Sequence, residues 1–76
     1  MAAKRESNHN GVNVETLEML LHALAHEIES QAYLQMAVRV VAEPDLKAFL
    51  INMLGQEQLH ETQLRGVLKE KFLLDV

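Results

Sequence analysis

Two side chains near the end of the chain have types and a spacing that suit metal chemistry. The stretch GQEQLHETQL, residues 55–64, places Glu57 three residues before His60. On a helix, side chains three residues apart lie on the same face, so this carboxylate and this imidazole would be neighbours. Carboxylates and imidazoles are ligands that iron and manganese accept in proteins. Whether they act in this way depends on the elements that carry them.

Two helices joined by a tight turn are predicted to carry these residues. No proline or glycine occurs between Asn13 and Glu43, and Asn13 suits a helix N-cap. Pro44 disfavours a helical Glu43, so the first helix is expected to end near Ala42. Pro44 itself suits the first position of a second helix, which is expected to run beyond Lys69. The connection is so short that the two helices must be antiparallel.

Apolar residues recur at helical spacing on both predicted helices, and polar residues interrupt them. The first stripe comprises Leu17, Leu20, Leu24, Glu27, Gln31, Leu34 and Val38. The second stripe comprises Leu46, Leu50, Met53, Glu57, His60, Leu64 and Leu68. Glu27, Glu57 and His60 are therefore expected to face the core. A buried lone carboxylate is costly, so each acid should be paired or should bind a metal.

Counting residues from the turn places the three candidate ligands at a similar height. Glu27 lies 16 residues before Glu43, while Glu57 and His60 lie 14 and 17 residues after it. At about 1.5 Å per residue, an antiparallel pair brings Glu27 within roughly one turn of both. The sequence therefore predicts that the three side chains converge in one layer of the core.

The two helices together carry more apolar surface than they can cover between themselves. The expected fold is all-α: an antiparallel two-helix hairpin, residues 14–76, that pairs with a copy of itself into a four-helix bundle. The two-fold axis would bring a second set of three ligands beside the first. A glutamate from each of two helices and a Glu-x-x-His pair from each of two others is the ligand arrangement of di-metal carboxylate bundles.

Composition excludes several other classes of protein. The 76 residues contain no cysteine, which excludes disulfide scaffolds and thiolate metal sites and is compatible with a reducing cytosol. The net charge of −4 disfavours nucleic-acid binding. No apolar run approaches the length of a membrane span. Residues 1–13 are polar and lack a signal-peptide core, so we expect a flexible N-terminal arm on a cytoplasmic protein.

The segments HEIESQAYLQMA, residues 26–37, and QEQLHETQL, residues 56–64, resemble the ferritin-like superfamily. The ESQA at residues 29–32 resembles the metal-binding first helix of rubrerythrins. The whole layout is more similar to that of encapsulated ferritins, in the hairpin, the EPDL turn and the spacing from the first glutamate to Glu-x-x-His. In this chain, as in encapsulated ferritins, an aromatic residue follows the first glutamate. The resemblance covers residues 26–64, about half of the chain.

This resemblance implies a ferroxidase whose di-iron site, with two ions per dimer interface, forms only when two hairpins dimerise. Carried over, the metal ligands and catalytic residues are Glu27, Glu57 and His60. Manganese or zinc would also suit these ligands. The iron would be stored or detoxified, and an encapsulin-type shell, a protein nanocompartment, is a candidate partner. The C-terminal KEKFLLDV, however, does not resemble the peptide that targets cargo into such shells.

Several residues have alternative roles. The rubrerythrin-like ESQA favours Glu29 as the first-helix ligand, but Glu27 and Glu29 lie about 200° apart and cannot face the same core. His22 and His26, four residues apart with Glu29 three further on, are candidates for a peripheral metal site. Tyr33 is a candidate for electron transfer or support near the centre, or for packing at the interface.

A non-enzyme alternative accounts for the same pattern. The hairpin dimer would serve as a scaffold or interaction module, and Glu57 and His60 would pair with each other across the core. Metal content after purification without a chelator distinguishes this module from an iron protein.

Overall fold

Two antiparallel α-helices make up the part of the chain that the structure, a computed structural model, describes: residues 14–76. Helix α1 spans Val14–Val40 and helix α2 spans Pro44–Phe72, and the two pack against each other along their length. No strand occurs within residues 14–76. The prediction of an all-α hairpin is confirmed. The predicted arm and the predicted N-cap Asn13 lie outside the described residues.

The turn between the helices is built by Glu43 and Pro44. Glu43 has extended backbone (φ −71°, ψ 122°), and its Oε1 accepts a hydrogen bond of 2.7 Å from the Leu46 backbone N–H. Glu43 is thus the N-cap of α2, and Pro44, which has no N–H to leave unpaired, occupies the first helical position. Helix α1 ends at Val40, two residues before the expected end near Ala42, and the N–H of Val41 still donates to the carbonyl of Ala37 at 2.9 Å.

The end of α2 is closed without a glycine. Leu73 has a left-handed backbone (φ 58°, ψ 33°), and its N–H donates to the carbonyl of Lys69 at 3.0 Å. The N–H of Leu74 donates to the carbonyl of Leu68 at 3.1 Å. The bond from Leu73 to Lys69 is that of the αL motif, which usually places glycine at the left-handed position. A leucine there is strained, because its Cβ crowds the backbone.

The hairpin has a small apolar core. Leu68 is completely buried and Leu24 is 6% exposed, and these are the buried apolar side chains within residues 14–76. Many large apolar side chains remain exposed, among them Met19, Leu21, Ile28, Met36, Leu46, Phe49, Ile51, Leu59 and Val67. Two helices do leave extensive apolar surface uncovered, and of the exposed residues named here only Leu46 belongs to a predicted stripe. Neither helix is long and apolar enough to cross a membrane.

Candidate metal centre

Glu27 of α1 and His60 of α2 lie beside each other across the hairpin. Glu27 Oε2 is 3.7 Å from His60 Nδ1. That distance is too long for a hydrogen bond, so the two groups attract each other as an ion pair only when His60 is protonated. They line one side of an open cleft of about 350 Å³. The other lining residues are Ala23, Gln63, Leu64 and Val67. The cleft therefore contains an acid–imidazole pair and is otherwise lined largely by apolar side chains.

Glu57 lies on the same helix as His60 but has a different partner. Its Oε2 accepts a hydrogen bond of 2.9 Å from the Ser30 hydroxyl of α1. Its Oε1 is buried, and no hydrogen-bond donor among residues 14–76 reaches it. Ser30 lies 13 residues before Glu43 and Glu57 lies 14 after it. Nearly equal distances from the turn place the two residues at the same height in an antiparallel pair, which accounts for the contact.

Glu27 carries a second buried oxygen of this kind. Its Oε1 is buried and also lacks a hydrogen-bond partner within the described hairpin. A buried acceptor without a partner costs about 1–3 kcal/mol, and more when it is charged. Native proteins satisfy nearly all such atoms, so each exception calls for a proton, a water molecule, a metal or a second chain. Glu27 and Glu57 thus each have one buried carboxylate oxygen that lacks a hydrogen-bond partner within the described hairpin.

His60 is not a core residue of the single hairpin. Its side chain is 55% exposed, against 25% for Glu27. A three-residue step turns a helix by about 300°, which leaves His60 about 60° from the direction of Glu57. The predicted stripe therefore broadens towards one flank, where Leu46 is also exposed. Within the single hairpin His60 faces the open cleft, and the prediction that it faces the core of a four-helix bundle stays a prediction.

The three predicted ligands do not form a closed group within one hairpin. No three His, Asp or Glu side chains among residues 14–76 lie close enough together to hold a metal ion. Glu27 and His60 meet, whereas Glu57 is held by Ser30. A single hairpin therefore brings two of the three predicted ligands, Glu27 and His60, into contact.

A separate polar cluster lies one turn further along α2. Glu61 Oε1 accepts a 2.7 Å bond from Gln31 Nε2, and Glu61 Oε2 accepts bonds of 2.8 and 2.6 Å from Arg65. The bond from Gln31 and then the bonds and charge of Arg65 hold the pKa of the Glu61 carboxyl below its usual range. This cluster was not predicted, although the i, i+4 spacing of Glu61 and Arg65 indicates such an ion pair.

The remaining candidates are exposed and belong to other surfaces. His26, Glu29 and Tyr33 line an open cleft of about 250 Å³ together with Ser30. His22 lines a different cleft, with Glu18, Leu21 and Ala25. Four residues apart on α1, the two histidines lie on one face of the helix. Glu29 lines the cleft of His26 and Tyr33, whereas Glu27 lies 3.7 Å from His60. Whether any of them binds a metal stays a prediction.

The chain matches none of the protein-family models, curated proteins or solved structures with which it was compared. The ferritin-like resemblance therefore rests on the residues quoted above, and the function rests on the geometry of Glu27, Glu57 and His60.

Proposed function

We propose that this chain is a ferritin-like protein that binds and oxidises ferrous iron at an interface between two hairpins. The observation that supports this most is the pair of buried, unpartnered carboxylate oxygens, Glu27 Oε1 and Glu57 Oε1. Hard oxygen donors with one imidazole nitrogen are a donor set that suits iron or manganese. A bound cation would offset the cost of both buried acceptors at once.

A second hairpin is needed to complete the site. One hairpin brings Glu27 and His60 together in a cleft that is open to solvent and framed by Ala23, Leu64 and Val67. A two-fold dimer that covers this cleft would bury its apolar frame and would add another Glu27, Glu57 and His60. Six ligands in a four-helix bundle are the number that a two-ion carboxylate site requires.

The reaction we propose has iron as its substrate. Two ferrous ions each lose one electron, and hydrogen peroxide accepts both electrons and two protons to give two water molecules. With dioxygen as oxidant, the same two electrons and two protons give one hydrogen peroxide. His60 must be neutral to donate its nitrogen to a metal ion. The ferric product is then released for storage in the cytoplasm or in a protein shell.

The scaffold alternative is favoured by a different observation. The apolar side chains exposed on both helices favour association whether or not a metal binds. A dimer held only by apolar contacts would contain no iron and would have no use for Glu27 and His60 in the cleft. The two functions therefore differ in metal content and in the effect of these two residues.

Glu27 and Glu29 provide a matched pair of variants for the test. Each of Glu27→Ala and Glu29→Ala removes one glutamate from the same helix, two residues apart. We expect Glu27→Ala to abolish oxidation of ferrous iron, followed by the absorbance of the ferric product, and Glu29→Ala to leave it nearly intact. Loss of oxidation in Glu29→Ala alone would show that the rubrerythrin-like alignment identifies the ligand. An iron-free, inactive wild-type protein would support the scaffold.

A further inference from the structure

We propose that Ser30 and Gln31 of α1 are positioning residues that hold Glu57 of α2 in place as a metal ligand. This inference rests on the proposed iron-binding function and adds two residues to its site. Ser30 bonds the carboxylate of Glu57 and Gln31 contacts its backbone carbonyl. Ser30 and Gln31, which are consecutive on α1, thus hydrogen-bond the side chain and the main chain of Glu57 on α2.

The Ser30 hydroxyl makes an unusual choice of acceptor. A serine inside a helix commonly donates to the carbonyl four residues earlier. Ser30 instead donates across the hairpin to Glu57 Oε2 at 2.9 Å, because a carboxylate is a stronger acceptor than a carbonyl that is already in the helix ladder. The bond occupies Oε2 and leaves the buried Oε1 free. The carboxylate is therefore restrained with one oxygen available.

The Gln31 amide is itself held from both sides. Its Nε2 donates to Glu61 Oε1 at 2.7 Å and makes a longer bond of 3.4 Å to the Glu57 carbonyl. Both partners are acceptors, which fixes the orientation of the amide. Arg65 in turn holds Glu61 with two bonds to Oε2. Because Gln31 is almost completely buried, this network fixes the height of α2 against α1 at Glu57.

Partners of this kind orient metal ligands. Loss of one typically weakens metal affinity about ten- to a hundredfold, because the free ligand must then be ordered at the moment of binding. We therefore expect Ser30→Ala to weaken binding of the redox-inert Zn²⁺ about ten- to a hundredfold. We expect Ser30→Thr to restore most of it, since Thr keeps the hydroxyl and the open cleft beside Ser30 has room for a methyl group.

The test is isothermal titration of the dimer with Zn²⁺, together with the visible absorption of bound Co²⁺, which reports the arrangement of ligands. A suitable control is Thr62→Ala, which removes an exposed hydroxyl from α2 that bonds only the Gln58 carbonyl. Support requires weaker Zn²⁺ binding and an altered Co²⁺ spectrum in Ser30→Ala and in Gln31→Leu. The Ser30→Thr and Thr62→Ala proteins should resemble the wild type in both measurements.

The failure of this inference is distinct from failure of the proposed function. If the wild type binds metal, Glu57→Ala loses it and Ser30→Ala binds as tightly as the wild type with the same Co²⁺ spectrum, the positioning role is wrong and the metal site stands. If Ser30→Ala and Thr62→Ala weaken binding equally, the effect is general to the hairpin and the positioning role is again wrong. If the wild type binds no metal, the proposed function fails and the positioning role fails with it.

Discussion

Glu57 and Glu61 lie one turn apart on α2 and face the same helix, yet their surroundings differ. Glu61 accepts hydrogen bonds at both oxygens, from Gln31 at one and from Arg65 at the other. Glu57 accepts one bond, from Ser30, and its other oxygen is buried and unpartnered. Glu61 forms an ion pair with Arg65. No lysine or arginine within the described residues forms an ion pair with Glu57.

This difference separates a structural carboxylate from a candidate ligand. A carboxylate whose two oxygens both have hydrogen-bond partners in an ion-paired network contributes to the fold and needs no further ligand. An acid with a buried free oxygen weakens the apo protein and gains most from a bound cation. Glu27, which has a buried free oxygen and an exposed imidazole beside it, belongs with Glu57. The contrast can be tested because the acids can be replaced one at a time.

The largest effect should be on metal binding. Glu57→Ala and His60→Ala should each abolish stoichiometric binding of iron, because each removes a proposed ligand from both halves of the proposed dimer. Glu61→Gln, which retains an acceptor for Gln31, should leave the iron stoichiometry unchanged. Metal analysis after anaerobic loading with ferrous iron measures all three. Equal losses in Glu57→Ala and Glu61→Gln would remove the distinction between the two acids.

The next effect is on the stability of the metal-free protein, and its sign should differ between the two positions. Glu57→Leu should raise the free energy of unfolding by about 1–2 kcal/mol, because it removes a buried oxygen without a partner, while the Ser30 hydroxyl that it releases can donate to the carbonyl four residues earlier in its own helix. Glu61→Leu should lower the free energy of unfolding, because it leaves Gln31 and Arg65 without their acceptor. Urea unfolding in EDTA at one fixed protein concentration measures both. Destabilisation by Glu57→Leu as large as that by Glu61→Leu would contradict the account.

A smaller effect should appear in the pH dependence of unfolding. Gln31 and then Arg65 lower the pKa of Glu61 in the folded state, so the folded protein binds fewer protons there than the unfolded chain. The stabilisation is present above the usual glutamate pKa, near 4.3, and is lost as the pH falls through the lower folded value. Glu61→Gln should flatten this part of the stability curve. If Glu61→Gln leaves the loss of stability at low pH unchanged, Glu61 is not held by these partners.

The smallest effect calibrates the others. Leu73→Gly should stabilise α2 by about 0.5–1 kcal/mol, because glycine adopts the left-handed backbone freely and the Leu73 side chain is 87% exposed. Iron binding should not change, since Leu73 is far along the chain from every candidate ligand. If Leu73→Gly altered iron affinity, changes in stability alone could account for the effects expected at Glu57.

Much of the hairpin could be predicted from the sequence because its signals are local. Pro44 determines where α2 begins, and an uninterrupted run before it predicts α1. The contact between Glu27 and His60 follows from equal distances to the turn, since both helices rise by the same amount per residue.

Other features of the site could not be predicted in this way. Helix phase gives the direction of a residue to within about 60°, so the exposure of His60 on the flank was missed. The bond from Gln31 to Glu61 joins residues 12 before and 18 after Glu43, and only the reach of two long side chains allows it. Glu57 and Glu61 are four residues apart on one face of α2, although only Glu57 belongs to the predicted stripe. Their difference depends on which α1 side chains meet each of them.

The most direct test counts metal ions and chains together. Native mass spectrometry of the wild-type protein, loaded with ferrous iron under anaerobic conditions, reports both numbers for each assembly. The account predicts an even number of chains with two iron ions per dimer, and dimers without iron for Glu57→Ala. A folded monomer that carries iron, or a dimer that remains iron-free at saturating ferrous iron, would contradict a metal site completed by a second hairpin.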